Sequence, residues 1–209
     1  MESLEMGGLE EEEKGNEEEE VPSESFESQI SKEVTDLKDV RDKPFVAIEP
    51  CGLLCVVFLK ARKGIDSVKV TEKRFEMIEN SSIKSVKFCQ RILPIHKICP
   101  ANMEEARKLA TTLIAPVFHN TAEPIEYCVV FDSRLNGSLD RMTVINMLAD
   151  IVGPKHKVNL SNPTKVILVQ LMKSFCGISI VSNWVQYRKY NAQELLKQVL
   201  STPDQTAHN

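Results

Sequence analysis

Apolar residues take every second position from Ile125 through Tyr127 and Val129 to Phe131, an alternation that predicts a β-strand. A polar loop, Arg134-Leu135-Asn136-Gly137, separates it from a helix. The expected inward positions of that helix are Met142, Ile145, Leu148, Ala149 and Val152, with Ser138 as its cap and Gly153–Pro154 as its stop. The loop Lys155-His156-Lys157-Val158-Asn159-Leu160-Ser161-Asn162-Pro163 then leads into a strand, Lys165–Met172. A turn around Ser174–Gly177 and a second strand, Ile178–Asn183, complete a predicted hairpin.

Upstream the period changes. Met103, Ala106, Ala110, Leu113, Ile114 and Val117 recur at helical spacing behind Asn102, a capping residue with Glu105 as its box partner. A second helix is predicted over Gly64–Glu79, with Ile65, Val68, Phe75 and Ile78 inward. Leu53–Leu59 reads as a buried strand, and Val86–Leu93 as a strand ended by Pro94. Ala192–Leu200 forms a final helix, and Phe26, Ile30, Val34 and Leu37 mark a short amphipathic helix within Ser25–Val40. Strands and helices alternate without a regular βαβ period, so the fold class is α+β, built on a mixed sheet.

Charge divides the chain. Residues 1–43 hold 16 Asp/Glu against 5 Lys/Arg, a net of −11, whereas 44–209 carry a net of +7. Like-charge runs at Glu10–Glu13 and Glu17–Glu20 cannot bury enough apolar surface to offset their ordering entropy, so a disordered acidic leader is expected. The basic remainder suits a polyanion, because Lys and Arg displace the counterions condensed on phosphates. No run approaches the ~20 apolar residues that span a membrane, so no membrane partner is expected. Six cysteines without a secretory signal indicate reduced thiols.

The residues offer little catalytic chemistry. Neither GxxxxGK[ST] nor GxGxxG occurs. Cys51, Cys55, Cys89, His96 and Cys99 are the nearest approach to a metal set, but Cys55 and Cys89 fall in predicted apolar strands, where Cys acts as a small hydrophobe. No nucleophile–base pair stands out, and no cofactor is expected. What remains are cations: Arg134 with Asn136 before one helix, Lys155, His156 and Lys157 after it, then Lys173, and Arg188–Lys189 beside Tyr187. The two loops lie at opposite ends of their helix, ~20 Å apart at 1.5 Å per residue. Trp184 is read as a packing residue, and Tyr190, beside the same cations, either stacks on an unpaired base or packs. Tyr187 has two readings, stacking on an unpaired base or packing the final helix.

The stretches Arg91-Ile92-Leu93-Pro94-Ile95, Phe131-Asp132-Ser133-Arg134, Leu139-Asp140-Arg141-Met142, Lys155 to Pro163, and Arg188-Lys189-Tyr190-Asn191, in that order and spacing, resemble a THUMP domain. The chain is most similar over these residues to the eukaryotic THUMP adaptors required for tRNA cytidine N4-acetylation. The resemblance implies a THUMP core over 101–190, an incomplete ferredoxin-like region over 44–100, the leader over 1–43, and a C-terminal helix and tail over 191–209. It also implies a non-catalytic protein, in the nucleus or nucleolus, that grips the acceptor end of leucine and serine tRNAs. A D-arm cytidine is thereby presented to a separate RNA cytidine acetyltransferase, which supplies the acetyl-CoA and ATP chemistry. By position, Arg134, Lys155, Lys157 and Arg188–Lys189 match the family's basic elements. Two departures stand out: the acidic leader replaces a basic arm with its first strand and helix, and Asn159 stands where the family often has Asp. The alternatives are a truncated paralogue serving as a protein-interaction module, and an RNA-modifying enzyme, for which little chain remains after the THUMP-like region.

Overall fold

The structure is a computed structural model that describes residues 43–48, 55–83, 85, 86, 89–134 and 137–201. The acidic leader, the helix expected within Ser25–Val40, Leu53–Leu54 and Asn136 lie outside the described residues. Strands β1 (Phe45–Ile48) and β2 (Phe58–Ala61) form an antiparallel hairpin, followed by helix α1 (Ser67–Glu79). The main sheet is built from β3 (Lys97–Pro100), β4 (Glu126–Arg134), β5 (Lys157–Val158), β6 (Lys165–Met172) and β7 (Phe175–Val181). Its order is β3-β7-β6-β4-β5, with β4 parallel to both β5 and β6 and the other pairs antiparallel. Helices α2 (Met103–Ile114), α3 (Arg141–Val152) and α4 (Ala192–Ser201) complete the α+β fold.

Strand β6 explains the layering. Every residue from Val166 to Met172 is buried, as expected for a strand covered on both faces. Ile167, Val169 and Leu171 join α2 and α3 in one core; Val166 and Leu168 join α1, α4, Trp184, Tyr187 and Tyr190 in the other. The two-residue period of the strand thus feeds two separate apolar layers, each large side chain contributing roughly 1.5–3 kcal/mol on burial.

The helix starts follow local chemistry. Asp66 accepts from Val68 N and Lys69 N, at 3.0 and 3.2 Å, and Val68, Thr71, Phe75 and Ile78 are buried at helical spacing. Asn102 caps α2 by accepting from Glu105 N at 2.9 Å, while Glu105 and Glu104 pair with Lys108 rather than returning to the cap. The apolar stripe of α2 does not run straight to Val117. Pro116 has no N–H for the helical ladder, and Ala115–His119 widens into a π-turn. The extra residue in that turn rotates Phe118 into the core and leaves Val117 half-buried.

Several expectations are corrected. Asp140, not Ser138, caps α3: its carboxylate accepts from Thr143 N and Oγ1, which also holds it below the usual carboxylate range, and Ser138 Oγ donates to Ala101 O. The buried face of α3 is Val144, Met147, Leu148 and Val152, whereas Met142 is 57% exposed. Leu53–Leu59 is not a buried strand in its described part. It starts at Phe58, and Val57 and Leu59 are exposed because the hairpin stands apart from the main sheet, with Phe58 contacting Phe175 edge to face. Val86–Leu93 is no strand among its described residues. Arg91 makes one bridge to Asn191, flanked by Ile92 N to Tyr190 O and Ala192 N to Gln90 O. The sheet edge is taken instead by β3, an unforeseen strand whose Pro100 is tolerated because it lies at the edge. The β6–β7 turn is also tighter than expected, with only Lys173 and Ser174 between paired Met172 and Phe175. Gly177 in β7 leaves room for Ile95, since a Cβ there would come within 2.8 Å of Ile95 Cδ1 and force that side chain to shift.

Candidate nucleic-acid interface

The sheet register sorts the cations into two groups. Lys157 pairs with Glu126 at the start of β4, and Lys165 pairs with Tyr127 at the start of β6. Lys155, two residues before Lys157, donates from Nζ to Thr121 O at 2.6 Å. Ser182 follows the last residue of β7 at this same end, where its Oγ accepts from Lys165 Nζ at 2.7 Å. The segment carrying Arg188 and Lys189 departs from here. Arg134 and Lys173 lie at the opposite end: Lys173 N donates to Arg134 O, and Arg134 pairs with Asp132 at 3.3 Å. Eight steps along β4 at ~3.3 Å separate the ends by about 26 Å. The expected set therefore divides, with Lys155 and Lys157 at one end, Arg134 and Lys173 at the other, and Arg188 and Lys189 on the segment that leaves the first end and packs beside α4. Lys165 went unrecognised. Its signal was a charged residue opening an otherwise almost wholly apolar strand.

Two expected contact residues prove to be structural. Tyr187 is 1% exposed, with its ring 5.2 Å from that of Phe75 and 5.5 Å from that of Tyr190, which leaves no free face for a base. His156 is 8% exposed; it stands edge-on to Phe118, and its Nδ1 accepts from Ile125 N at 3.1 Å. It ties the basic loop to the start of β4 instead of facing a ligand. Trp184 and Tyr190 pack in the same core as Tyr187.

The loop after β5 is shaped by Asn159. Its Oδ1 accepts from Ser161 N and Asn162 N, and its Nδ2 donates to Glu126 Oε2 at 2.8 Å. An Asp here could accept the same two N–H groups but would face Glu126 as a like charge. Lys155 and Lys157 just before the turn are exposed, and Leu160 within it is 80% exposed.

A groove of about 370 Å³ opens beside this end, lined among others by Lys69, Glu72, His96, Pro116, Lys165 and Ser182. His96 Nδ1 accepts from Ile180 N at 3.2 Å, beyond the point where β3 stops covering β7. Partial desolvation of the ring, which still meets solvent, holds it below its ordinary value of 6.5, against the opposing pull of Asp66 and Glu72. The sign follows directly. As pH falls through 6.5 the unfolded chain binds its proton first, so stability present above that pH is lost as the folded ring titrates below it. Protonation also places an N–H against the N–H of Ile180. Urea midpoints should therefore fall further between pH 7.5 and pH 5.5 for the wild type than for His96→Asn, whose Oδ1 stands where Nδ1 does and can still accept. Equal losses would remove His96 from this role. Cys99 meanwhile faces Cys176 across the β3–β7 pair, its Sγ 3.6 Å from Cys176 O, and burial pushes the Cys176 thiol up to about 12.

Residues 100–181, from the end of β3 to the end of β7, match the family model described as THUMP domain. The chain is 30% identical to the Saccharomyces cerevisiae protein named tRNA acetyltransferase TAN1, over 90% of this chain and 73% of that one. It is 34% identical to THUMP domain-containing protein 1 of Bos taurus, over 82% of this chain and 49% of that one. The solution structure of the THUMP domain of THUMP domain-containing protein 1 is 33% identical, with a TM-score of 0.34, covering 38% of this chain and 83% of that one. This chain belongs to the THUMP-domain protein family that includes these relatives. It spans about half the length of the mammalian relatives it matches. Among the described residues no helix is long and apolar enough to cross a membrane.

Proposed function

We propose that this protein is a non-catalytic tRNA-binding adaptor for cytidine acetylation, acting with a separate RNA cytidine acetyltransferase. The observation that carries the reading is the gathering of Lys155, Lys157 and Lys165 at one end of the sheet, where the Arg188–Lys189 segment also begins. These side chains meet the needs of phosphate binding: Lys155, Lys157, Arg188 and Lys189 are exposed, and strand register holds Lys157 and Lys165 on either side of β4. The yeast relative's name supports a role in tRNA acetylation. The family resemblance makes the acceptor end of leucine and serine tRNAs the ligand and a D-arm cytidine the modified base. Arg134 and Lys173 are proposed as a second contact ~26 Å away, a separation that suits an extended nucleic acid.

A second reading keeps the fold and shifts the job to protein binding, with weak affinity for RNA. It is favoured by the exposed apolar side chains Val57, Leu59, Ile98 and Leu160. Complementation separates the two. Cells lacking their own adaptor receive this chain, and their tRNA is assayed for N4-acetylcytidine. Restored acetylation is expected. Its absence, with acetyltransferase binding retained and salt-sensitive tRNA binding missing, would replace the adaptor reading with the second.

A further inference from the structure

The segment from Trp184 to Tyr190 departs from ordinary backbone sterics three residues in succession. Arg188, Lys189 and Tyr190 have φ values of 51°, 58° and 57°, and none is glycine. Each such residue crowds its own Cβ against the following carbonyl, so L-residues visit this region singly and rarely in runs. The turn is held from within. Tyr187 and Tyr190 are buried, and their rings lie 5.2 and 5.1 Å from that of Phe75. Tyr190 Oη donates to Ser182 O at 3.0 Å, while Lys189 N donates to Trp184 O at 2.7 Å and Asn191 N to Arg188 O at 3.1 Å. Between the two anchored tyrosines, Arg188 and Lys189 are both exposed, and Arg188 Nε donates to Gln198 Oε1 at 2.6 Å.

Packing does not call for cations at these two positions. Glycine would take the same backbone with far less strain, and asparagine with somewhat less. We infer that the left-handed turn is a positioning device that fixes Arg188 and Lys189 side by side for RNA phosphates, with Tyr190 as the positioning residue that sets it. The inference rests on the tRNA-binding reading and deepens it. Strain of this kind persists where surrounding structure enforces it, and fixing both cations in advance lowers the ordering cost at binding.

The test uses the full chain, purified tRNA across a salt series, and thermal unfolding without RNA. Lys189→Gly relieves the backbone and removes one cation. Its melting temperature should rise by roughly 2–4 °C. Its tRNA affinity should fall about tenfold, and the slope of log affinity against log salt should drop by about one phosphate contact. Tyr190→Phe keeps both cations and the ring but loses the bond to Ser182. Its affinity should fall about threefold with the slope unchanged, because the same phosphates are engaged by a pair that must now be ordered. A warmer Lys189→Gly chain that binds tRNA like the wild type would overturn the proposal. A lower melting temperature in Lys189→Gly would overturn its strain premise, even if Tyr190→Phe failed to fold. Absence of tRNA binding in the wild type would overturn the adaptor reading and this inference together, and the melting measurement would still report the strain separately.

Discussion

A chain carrying Lys155→Glu, Lys157→Glu and Arg188→Glu is expected to lose tRNA affinity by about 1,000-fold or more near physiological salt. Each substitution removes a phosphate partner and adds a charge of the repelling sign. All three side chains are exposed, and the contacts given up are surface ones, Lys155 to Thr121 O and Arg188 to Gln198 Oε1. The melting temperature should therefore hardly move, which separates loss of the interface from loss of the fold. Gel-shift or fluorescence titration against tRNA over a salt series measures the effect. Unchanged binding would remove this end of the sheet from the site. The matched control is Arg134→Glu with Lys173→Glu at the far end, where a smaller loss is expected if the RNA reaches across the sheet.

Replacing Phe75 with Ala is expected to cost about 3–5 kcal/mol of stability. Phe75 is fully buried in α1, and its ring forms a triangle with those of Tyr187 and Tyr190, centroids 5.1–5.5 Å apart. Domains of this kind hold only about 5–15 kcal/mol in total, so the variant should unfold at much lower urea. The consequence reaches the site, since Phe75 supports both tyrosines that pin the left-handed turn. Tyr187→Ala should behave similarly and register as a folding defect. A loss below about 1 kcal/mol for Phe75→Ala would mean that this core is loosely packed and the turn is held by something else.

The parts of the fold legible in the sequence are those where local pattern and burial agree. Strand β6 was read with its observed bounds, because a strand covered on both faces is apolar at nearly every position. α2 began where Asn102 placed it, and α3 ended at Gly153, whose φ of 86° is one that glycine tolerates. Errors arose where pattern is ambiguous. Val86–Leu93 has strand composition, but what decides a strand is the partner, and among the described residues Tyr190–Ala192 offers one bridge to it. On α3, Met142 and Val144 are both apolar, and nothing local says which one faces the sheet.

The candidate site was legible as residue types and not as an arrangement. Basic loops, their separation by a helix, and the absence of a nucleophile or phosphate-loop motif are properties of the chain in order, and they indicated a module that holds an anion. Tertiary structure decided which cations share an end, because the parallel β4–β6 register sets Lys165 at the same end of β4 as the Lys155–Lys157 loop, across that strand, and sends Arg134 and Lys173 the other way. It also decided that Tyr187 and His156 belong to the interior. A tyrosine beside two cations has the same composition whether it stacks on a base or on Phe75, and only the packing of α1 against the segment before α4 distinguishes them. The left-handed run at Arg188 to Tyr190 was invisible for the same reason. No glycine or asparagine marks it, since the backbone is imposed by buried neighbours and not by the local preferences of its own residues.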